Sequence, residues 1–171
     1  MNETISTAAI NDIPRLLQLI NSAYRGDEAK KGWTHEADLI DGTIRIDETS
    51  LEELIQKSNA AILKYELFQK IAGCVYLEKK NSRLYLGMLS VSPEIQAKGI
   101  GKKLLKAADE YAKQNGCNAI EMRVISLRKE LIAWYERNGY CNTNKKEPFP
   151  EDGKFGNPRQ QLEFIYLEKM L

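Results

Sequence analysis

Leu84-Tyr85-Leu86-Gly87-Met88-Leu89-Ser90-Val91-Ser92-Pro93-Glu94-Ile95-Gln96-Ala97-Lys98-Gly99-Ile100-Gly101 is the stretch that decides the fold. Residues 83–91 read as a strand, because the run is rich in Leu, Tyr, Met and Val and apolar on both alternating faces, the pattern of a strand covered on both sides. Ser92-Pro93 stops it. From Gly99 the apolar period changes: Ile100, Leu104, Leu105, Ala108, Tyr111 and Ala112 share one helical stripe, with Lys102, Lys103, Lys106 and Lys113 off it. Asn115-Gly116 supplies the C-terminal stop.

The start of this helix is where chemistry is expected. Its first backbone N–H groups lack partners inside the helix and the aligned peptide dipoles place partial positive charge there, so anions bind readily. Gly99 and Gly101 leave the main chain open to a diphosphate, and Lys98, Lys102 and Lys103 add full charges. The same residues also fit a plain glycine-containing turn with a solvated lysine face. Two nucleotide motifs are excluded by spacing: a dinucleotide fingerprint needs a third Gly where Leu104 stands, and a P-loop needs Ser or Thr where Lys103 follows Lys102.

Gln96, Gly99 and Gly101 meet the pattern Gln/Arg-x-x-Gly-x-Gly/Ala, and the stretch resembles the acyl-CoA-binding motif of the GNAT superfamily of N-acetyltransferases. A second segment, Trp134-Tyr135-Glu136-Arg137-Asn138-Gly139-Tyr140, is similar to the Phe-Tyr-Glu-Lys-x-Gly-Phe segment of that family's fourth helix.

Working outward, residues 3–8 form an expected strand β1, and Asn11 is a plausible N-cap for a helix α1 carrying Ile13, Leu16, Leu17, Ile20 and Tyr24. Residues 26–47 read as a long irregular loop, of the kind that is often functional. Ser50-Leu51-Glu52-Glu53 matches a capping box at the start of α2. Residues 60–65 (β2), 71–78 (β3) and 83–91 (β4) read as an antiparallel meander. The long helix α3, starting at Gly99, leads to residues 118–125 (β5), which the helical crossover makes a parallel neighbour of β4. Leu127, Leu131, Trp134 and Tyr135 mark α4; β6 begins at 140–144, a loop covers 145–160 and 162–170 is β7. The order β1-α1-α2-β2-β3-β4-α3-β5-α4-β6-β7 resembles that of the GNAT fold, an α/β (α+β) architecture with a mixed central sheet and a β4/β5 splay, over almost the whole chain.

Composition narrows the classes. At 171 residues and 43% hydrophobic, the chain is long enough for a sizeable core and reads as one domain over 1–171. With 25 basic and 24 acidic residues the formal net charge is +1, so no global field recruits nucleic acid or an anionic membrane. Cys74, Cys117 and Cys141 lack the spacing of a disulfide framework or a metal site and read as reduced thiols. No basic-then-apolar leader opens the chain and no apolar run nears the ~18 residues of a span, which makes the cytoplasm the expected location.

The resemblance implies acetyl-CoA as cofactor, lying where β4 and β5 part. It implies that main-chain groups of Leu89, Ser90 and Val91 pair with the pantetheine arm, and that Gln96, Ala97, Lys98, Gly99, Ile100, Gly101 and Lys102 hold the pyrophosphate. Tyr135 matches the tyrosine that points at the CoA sulfur and donates its phenolic proton; a core tyrosine is the competing reading. Many relatives carry a glutamate on β4 where this chain has Gly87, so the amine's proton would leave through water, or through Glu78, Glu121 or His35. Arg128 stands where many members have a pantetheine-bonding asparagine. It is read as a surface salt-bridge residue, in preference to one reaching an acidic group of the substrate. A covalent route through a cysteine is disfavoured, since no histidine lies near one in sequence.

Trp33, His35, Arg45 and Phe149, with Glu36 and Phe155, are the acceptor-side candidates, drawn from the loops where the family's acceptors enter. The expected activity is acetyl transfer to a primary amine by direct attack in a ternary complex, the partner being a small-molecule amine rather than nucleic acid or membrane, in a monomer or homodimer. A protein N-terminal or lysine acetyltransferase is the alternative. A non-catalytic acetyl-CoA-sensing module is the alternative of another class.

Overall fold

Arg83–Val91 is the central strand of a seven-stranded sheet. The computed structural model describes residues 2–95 and 98–171; Gln96 and Ala97, assigned above to the pyrophosphate segment, lie outside the described residues. The main elements are β1 (Glu3–Thr7), α1 (Ile13–Tyr24), α2 (Glu48–Gln56), β2 (Ala60–Leu67), β3 (Lys70–Lys80), β4 (Arg83–Val91), α3 (Ile100–Gln114), β5 (Ala119–Ile125), α4 (Lys129–Arg137), β6 (Cys141–Pro148) and β7 (Glu163–Met170). In space the strands run β1-β2-β3-β4-β5-β7-β6. Each neighbouring pair is antiparallel except β4 and β5, which the α3 crossover makes parallel. Among the described residues no helix is long and apolar enough to cross a membrane.

The apolar stripes read from the sequence decide which helix covers which face. On one side Ile100, Leu104, Leu105 and Ala108 of α3, with Ile132 and Tyr135 of α4, pack on Leu84, Leu86, Ile120 and Met122. On the other, Leu16, Leu19 and Ile20 of α1 and Leu51 of α2 pack on Ile62, Cys74, Tyr76 and Met88. Each such fully buried Leu or Ile side chain contributes about 1.5–3 kcal/mol.

Two irregularities of β4 open the sheet. Its pairing with β5 covers only Arg83–Tyr85 against Ala119–Glu121, after which the strands part. On the β3 side, the register jumps from Tyr76↔Gly87 to Cys74↔Ser90 around Met88, whose φ is +50°. This bulge inverts the side-chain alternation. Leu84 and Leu86 face the α3/α4 core and Met88 the α1/α2 core, yet Leu89 and Val91 return to the first.

Several local expectations are corrected. Asn11 does not cap α1: it lies in a 3-10 turn, Ile10–Asp12, where the Asp12 carboxylate accepts the Ala9 N–H at 2.8 Å. The capping box at Ser50 is displaced too, because α2 begins at Glu48 and the Asp47 carboxylate accepts the Ser50 N–H at 2.7 Å. The loop expected over 145–160 begins late, since pairing with β7 carries β6 on to Pro148. The 26–47 loop contains a helical turn, Gly26–Ala29, and a two-residue strand, Ile40–Asp41, which pairs with Asn157–Pro158. The two least regular stretches of the chain are therefore laced to one another.

Candidate active site

Where β4 and β5 part, two cavities meet. The larger, about 680 Å³, lies at the mouth of α3 and is lined by Leu89, Ser90, Val91, Gly99, Gly101, Lys102, Trp134 and Tyr135, with Lys31, Trp33 and Arg137. The smaller, about 50 Å³, lies deeper between β4 and β5 and is lined by Glu36, Arg45, Tyr85, Gly87, Arg123 and Phe164 among others. Tyr24, Leu89, Arg128, Leu131 and Tyr135 line both.

The mouth of α3 carries partial positive charge. Lys103 N–H to Gly99 C=O at 3.0 Å is the first bond of the helix, so the N–H groups of Ile100, Gly101 and Lys102 have no partner within it. No acidic residue stands in the first turn. Gly99 has φ +74°, and a Cβ placed there would meet nothing within 4 Å. The space over the helix end is open to a ligand. Gly101 is small for a different reason: a Cβ there would lie 3.2 Å from the Trp134 indole. Lys98 is exposed and Lys102 lines the cavity, whereas Lys103 turns away to Glu3 at 2.8 Å. Ile100 offers the site only its main chain, since its side chain is buried in the core.

Tyr135 sits on the second turn of α4, its ring edge-on to Trp134 and to Tyr140 at centroid distances of 5.1 and 5.7 Å. Among the described residues, nothing hydrogen-bonds its hydroxyl. Burial, reinforced by the Tyr24 hydroxyl and opposed by Arg128, holds the phenol well above its ordinary value, so it stays a proton-bearing donor at neutral pH. The Leu89 carbonyl accepts from the Tyr24 hydroxyl at 3.0 Å, and burial pushes that phenol up to about 12. Ser90 turns its hydroxyl onto the Met88 carbonyl at 2.9 Å.

The acceptor-side candidates are scattered. Trp33 lines the larger cavity, 6.2 Å from Trp134. Arg45 lines the smaller. His35 lines neither and spends Nδ1 on the Ala37 N–H at 3.1 Å, while Phe149 stacks behind Phe164 at 5.1 Å. Glu36, by contrast, is buried at the centre, bonded to Arg25 Nε and to Arg128 Nη1, each at 3.2 Å. Arg128 is thus corrected from a surface salt bridge to a buried ion pair, 6% exposed, whose second Nη reaches the Thr34 hydroxyl at 3.1 Å. Glu78 and Glu121, considered as bases, line neither cavity and pair with Lys57 and Arg83.

Tyr24, Tyr85, Arg123, Lys31 and Arg137 also line the cavities, beyond the candidates that the sequence marks. Arg123 was readable in part, since β5 turns Ile120, Met122 and Val124 inward and leaves Glu121 and Arg123 on the other face. Tyr85 explains Gly87: a Cβ at Gly87 would lie 3.0 Å from the Tyr85 ring, so the place of the missing glutamate is taken by a phenol. Lys31 lies in a polar loop with no periodic signal.

A family model described as "Acetyltransferase (GNAT) family" matches residues 14–140. The uncharacterized N-acetyltransferase YhfO of Bacillus subtilis (strain 168) is 39% identical over 59 residues, covering 34% of this chain and 40% of that protein. A thialysine N-epsilon-acetyltransferase of Bos taurus is 31% identical over 72 residues, 42% of each chain. The chain thus spans less than half the length of these curated relatives. Among solved structures, the PaiA N-acetyltransferase of Thermoplasma acidophilum in complex with coenzyme A superposes with a TM-score of 0.74 at 20% identity, covering 100% of both chains. YncA of Salmonella typhimurium, solved with acetyl-CoA, gives 0.71 at 18% identity over 100% of this chain and 95% of that one. At these identities the likeness is one of fold.

Proposed function

Because this chain belongs to the acetyltransferase (GNAT) family, we propose that it moves an acetyl group from acetyl-CoA to the primary amine of a small molecule by direct attack, both substrates being bound together. The observation that carries this reading is that two cavities of unequal size share the wall formed by Tyr135 and Leu89. One is open and has a helix mouth suited to a pyrophosphate; the other is small and polar.

Acetyl-CoA, when bound, supplies a thioester already activated toward amines. Toward it the chain contributes the N–H groups of Ile100, Gly101 and Lys102, which have no partner within the helix, and the side-chain charges of Lys102, Lys31 and Arg137 for the pyrophosphate. Main-chain groups of β4 beyond Tyr85, where β5 no longer pairs, serve the pantetheine arm. Tyr135 donates its hydroxyl to the departing sulfur; with a phenol held above the thiol range, its contribution is a strong hydrogen bond more than an equilibrium proton transfer. Among the described residues Glu36 is the one carboxylate lining the smaller cavity, and two arginines already claim it. The ammonium proton therefore leaves through water. A covalent acetyl-cysteine is disfavoured, because burial pushes the Cys74 thiol up to about 12 and none of Cys74, Cys117 and Cys141 lines either cavity.

A second reading, a non-catalytic acetyl-CoA sensor, is favoured by one feature, the Tyr85 ring covering Gly87 where a base would stand. A panel of amines assayed for thiol release, with acetyl-CoA binding measured by calorimetry, separates the two. Release with a small primary amine supports the enzyme. Silence across the panel with intact binding favours the sensor, and absence of binding overturns both.

A further inference from the structure

Among the described residues the smaller cavity is lined by three guanidinium groups, Arg45, Arg123 and Arg128, and by a single carboxylate, Glu36. Their pairing is uneven. Glu36 gives one oxygen to Arg25 and the other to Arg128, so it neutralises half of what it touches. Arg123 is met from the far side by Glu147 at 3.2 Å and lies over the Phe164 ring at 4.4 Å. Arg45 has no carboxylate partner among the described residues; its Cζ stands 5.4 Å from the centroid of the Tyr24 ring, and that of Arg128 stands 5.7 Å from the same centroid.

Both groups thus stand near the same ring, and because Glu36 is divided between Arg25 and Arg128 the cavity wall carries more positive than negative charge, which an anionic ligand would neutralise. A further observation points the same way. Arg128 is 6% exposed, and its Nε–H is buried with no hydrogen-bond partner among the described residues. A charged donor left unmade inside a protein is costly, and such a group calls for an explanation in the site's ligand. The cavity's 50 Å³ limits that ligand's anionic end to a carboxylate and a carbon or two.

We infer that the acceptor is a small amino acid, its carboxylate held between Arg45 and Arg128 in the cavity between β4 and β5 while its amine faces Tyr135. This rests on reading that cavity as the acceptor site. Arg128 is fixed by Glu36 and acts as the rear wall of positive charge. Arg45, held by its backbone N–H to the Asn21 side chain at 2.7 Å and with no carboxylate on its guanidinium among the described residues, is the group that closes on the ligand.

The test uses the full chain with coenzyme A present and matched pairs that differ only in the carboxylate: glycine and methylamine, L-alanine and ethylamine, L-lysine and cadaverine. Binding is read by calorimetry and, separately, thiol release is read with acetyl-CoA. In at least one pair the acid is expected to bind about 30-fold more tightly than its partner, a preference that Arg45→Ala abolishes and Arg45→Lys partly restores. Circular dichroism confirms that each variant is folded. No preference in any pair, or one that survives Arg45→Ala, overturns the inference. Arg45-dependent binding of an acid without thiol release leaves the anion site standing and removes the catalytic reading instead.

Discussion

Tyr135 is held by opposing demands: it belongs to the core and also lines both cavities. Removing only the oxygen therefore leaves packing untouched. Tyr135→Phe is expected to lower kcat by about 10²-fold, with acetyl-CoA affinity within about twofold of the parent, in steady-state assays paired with calorimetry. A loss confined to affinity would contradict the assigned role. The phenol is protonated below its raised value, so no alkaline fall in rate traceable to it is expected below about pH 10. Gly99 and Gly101, alike in the motif, separate in the structure. Gly99→Ala meets open space but strains a φ of +74°, costing about 1 kcal/mol in chemical denaturation. Gly101→Glu displaces the Trp134 indole and sets a negative charge at the helix mouth, so acetyl-CoA affinity falls, with unchanged affinity placing the phosphates elsewhere. Tyr135 and both glycines were legible as motif positions. Arg128 was legible as a departure from the family pattern, but its burial was not, because the partner that buries it, Glu36, lies 92 residues away in the loop after α1.

At the scale of elements, the stripes of α1 and α3, that of α4 apart from Leu127, which precedes the helix and is 44% exposed, and the meander β2-β3-β4 were readable because period and turn residues agreed. The β4 bulge left no such trace. Met88 takes φ +50° for tertiary reasons, and nothing in its type announces it. The length of β6 was masked in the same way, since Asn142, Asn144, Lys145 and Lys146 favour loops until β7 supplies a ladder. The β2–β3 hairpin offers a direct test of local backbone cost. Phe68 and Gln69 both carry positive φ, +50° and +66°, in a two-residue turn whose preferred occupants are Asn-Gly. Phe68 is also 65% exposed, so its replacement forfeits little burial. The double change Phe68→Asn, Gln69→Gly is expected to stabilise the chain by about 1 kcal/mol. Thermal unfolding would then rise by roughly 2–4 °C; an unchanged or lower midpoint would mean that the turn is not strained.

For the molecule as a whole, response to acid depends on carboxylates far from the cavities. Asp12 joins β1 to α1: burial alone would push its carboxyl up, but the Ala9 N–H, Lys64 and Arg15 outweigh that and hold it below the ordinary carboxylate range. A carboxyl lowered by folding stabilises the fold above its unfolded value of about 3.9, and that contribution is lost as pH falls through its folded value. Asp12→Asn is accordingly expected to lower the melting temperature at pH 7 and to narrow the difference between pH 7 and pH 3, as followed by thermal unfolding. An equal drop at both pH values would refute the linkage. The overall architecture was the most legible level, because the order of elements constrains topology more tightly than any one residue constrains a site. One of the two edge strands, β6, combines a residue at φ +64°, Asn144, with the successive lysines Lys145 and Lys146 along an exposed margin. Such a border gives a foreign strand neither a flat template nor neutral company, so at high concentration ribbons do not grow from that edge of the sheet.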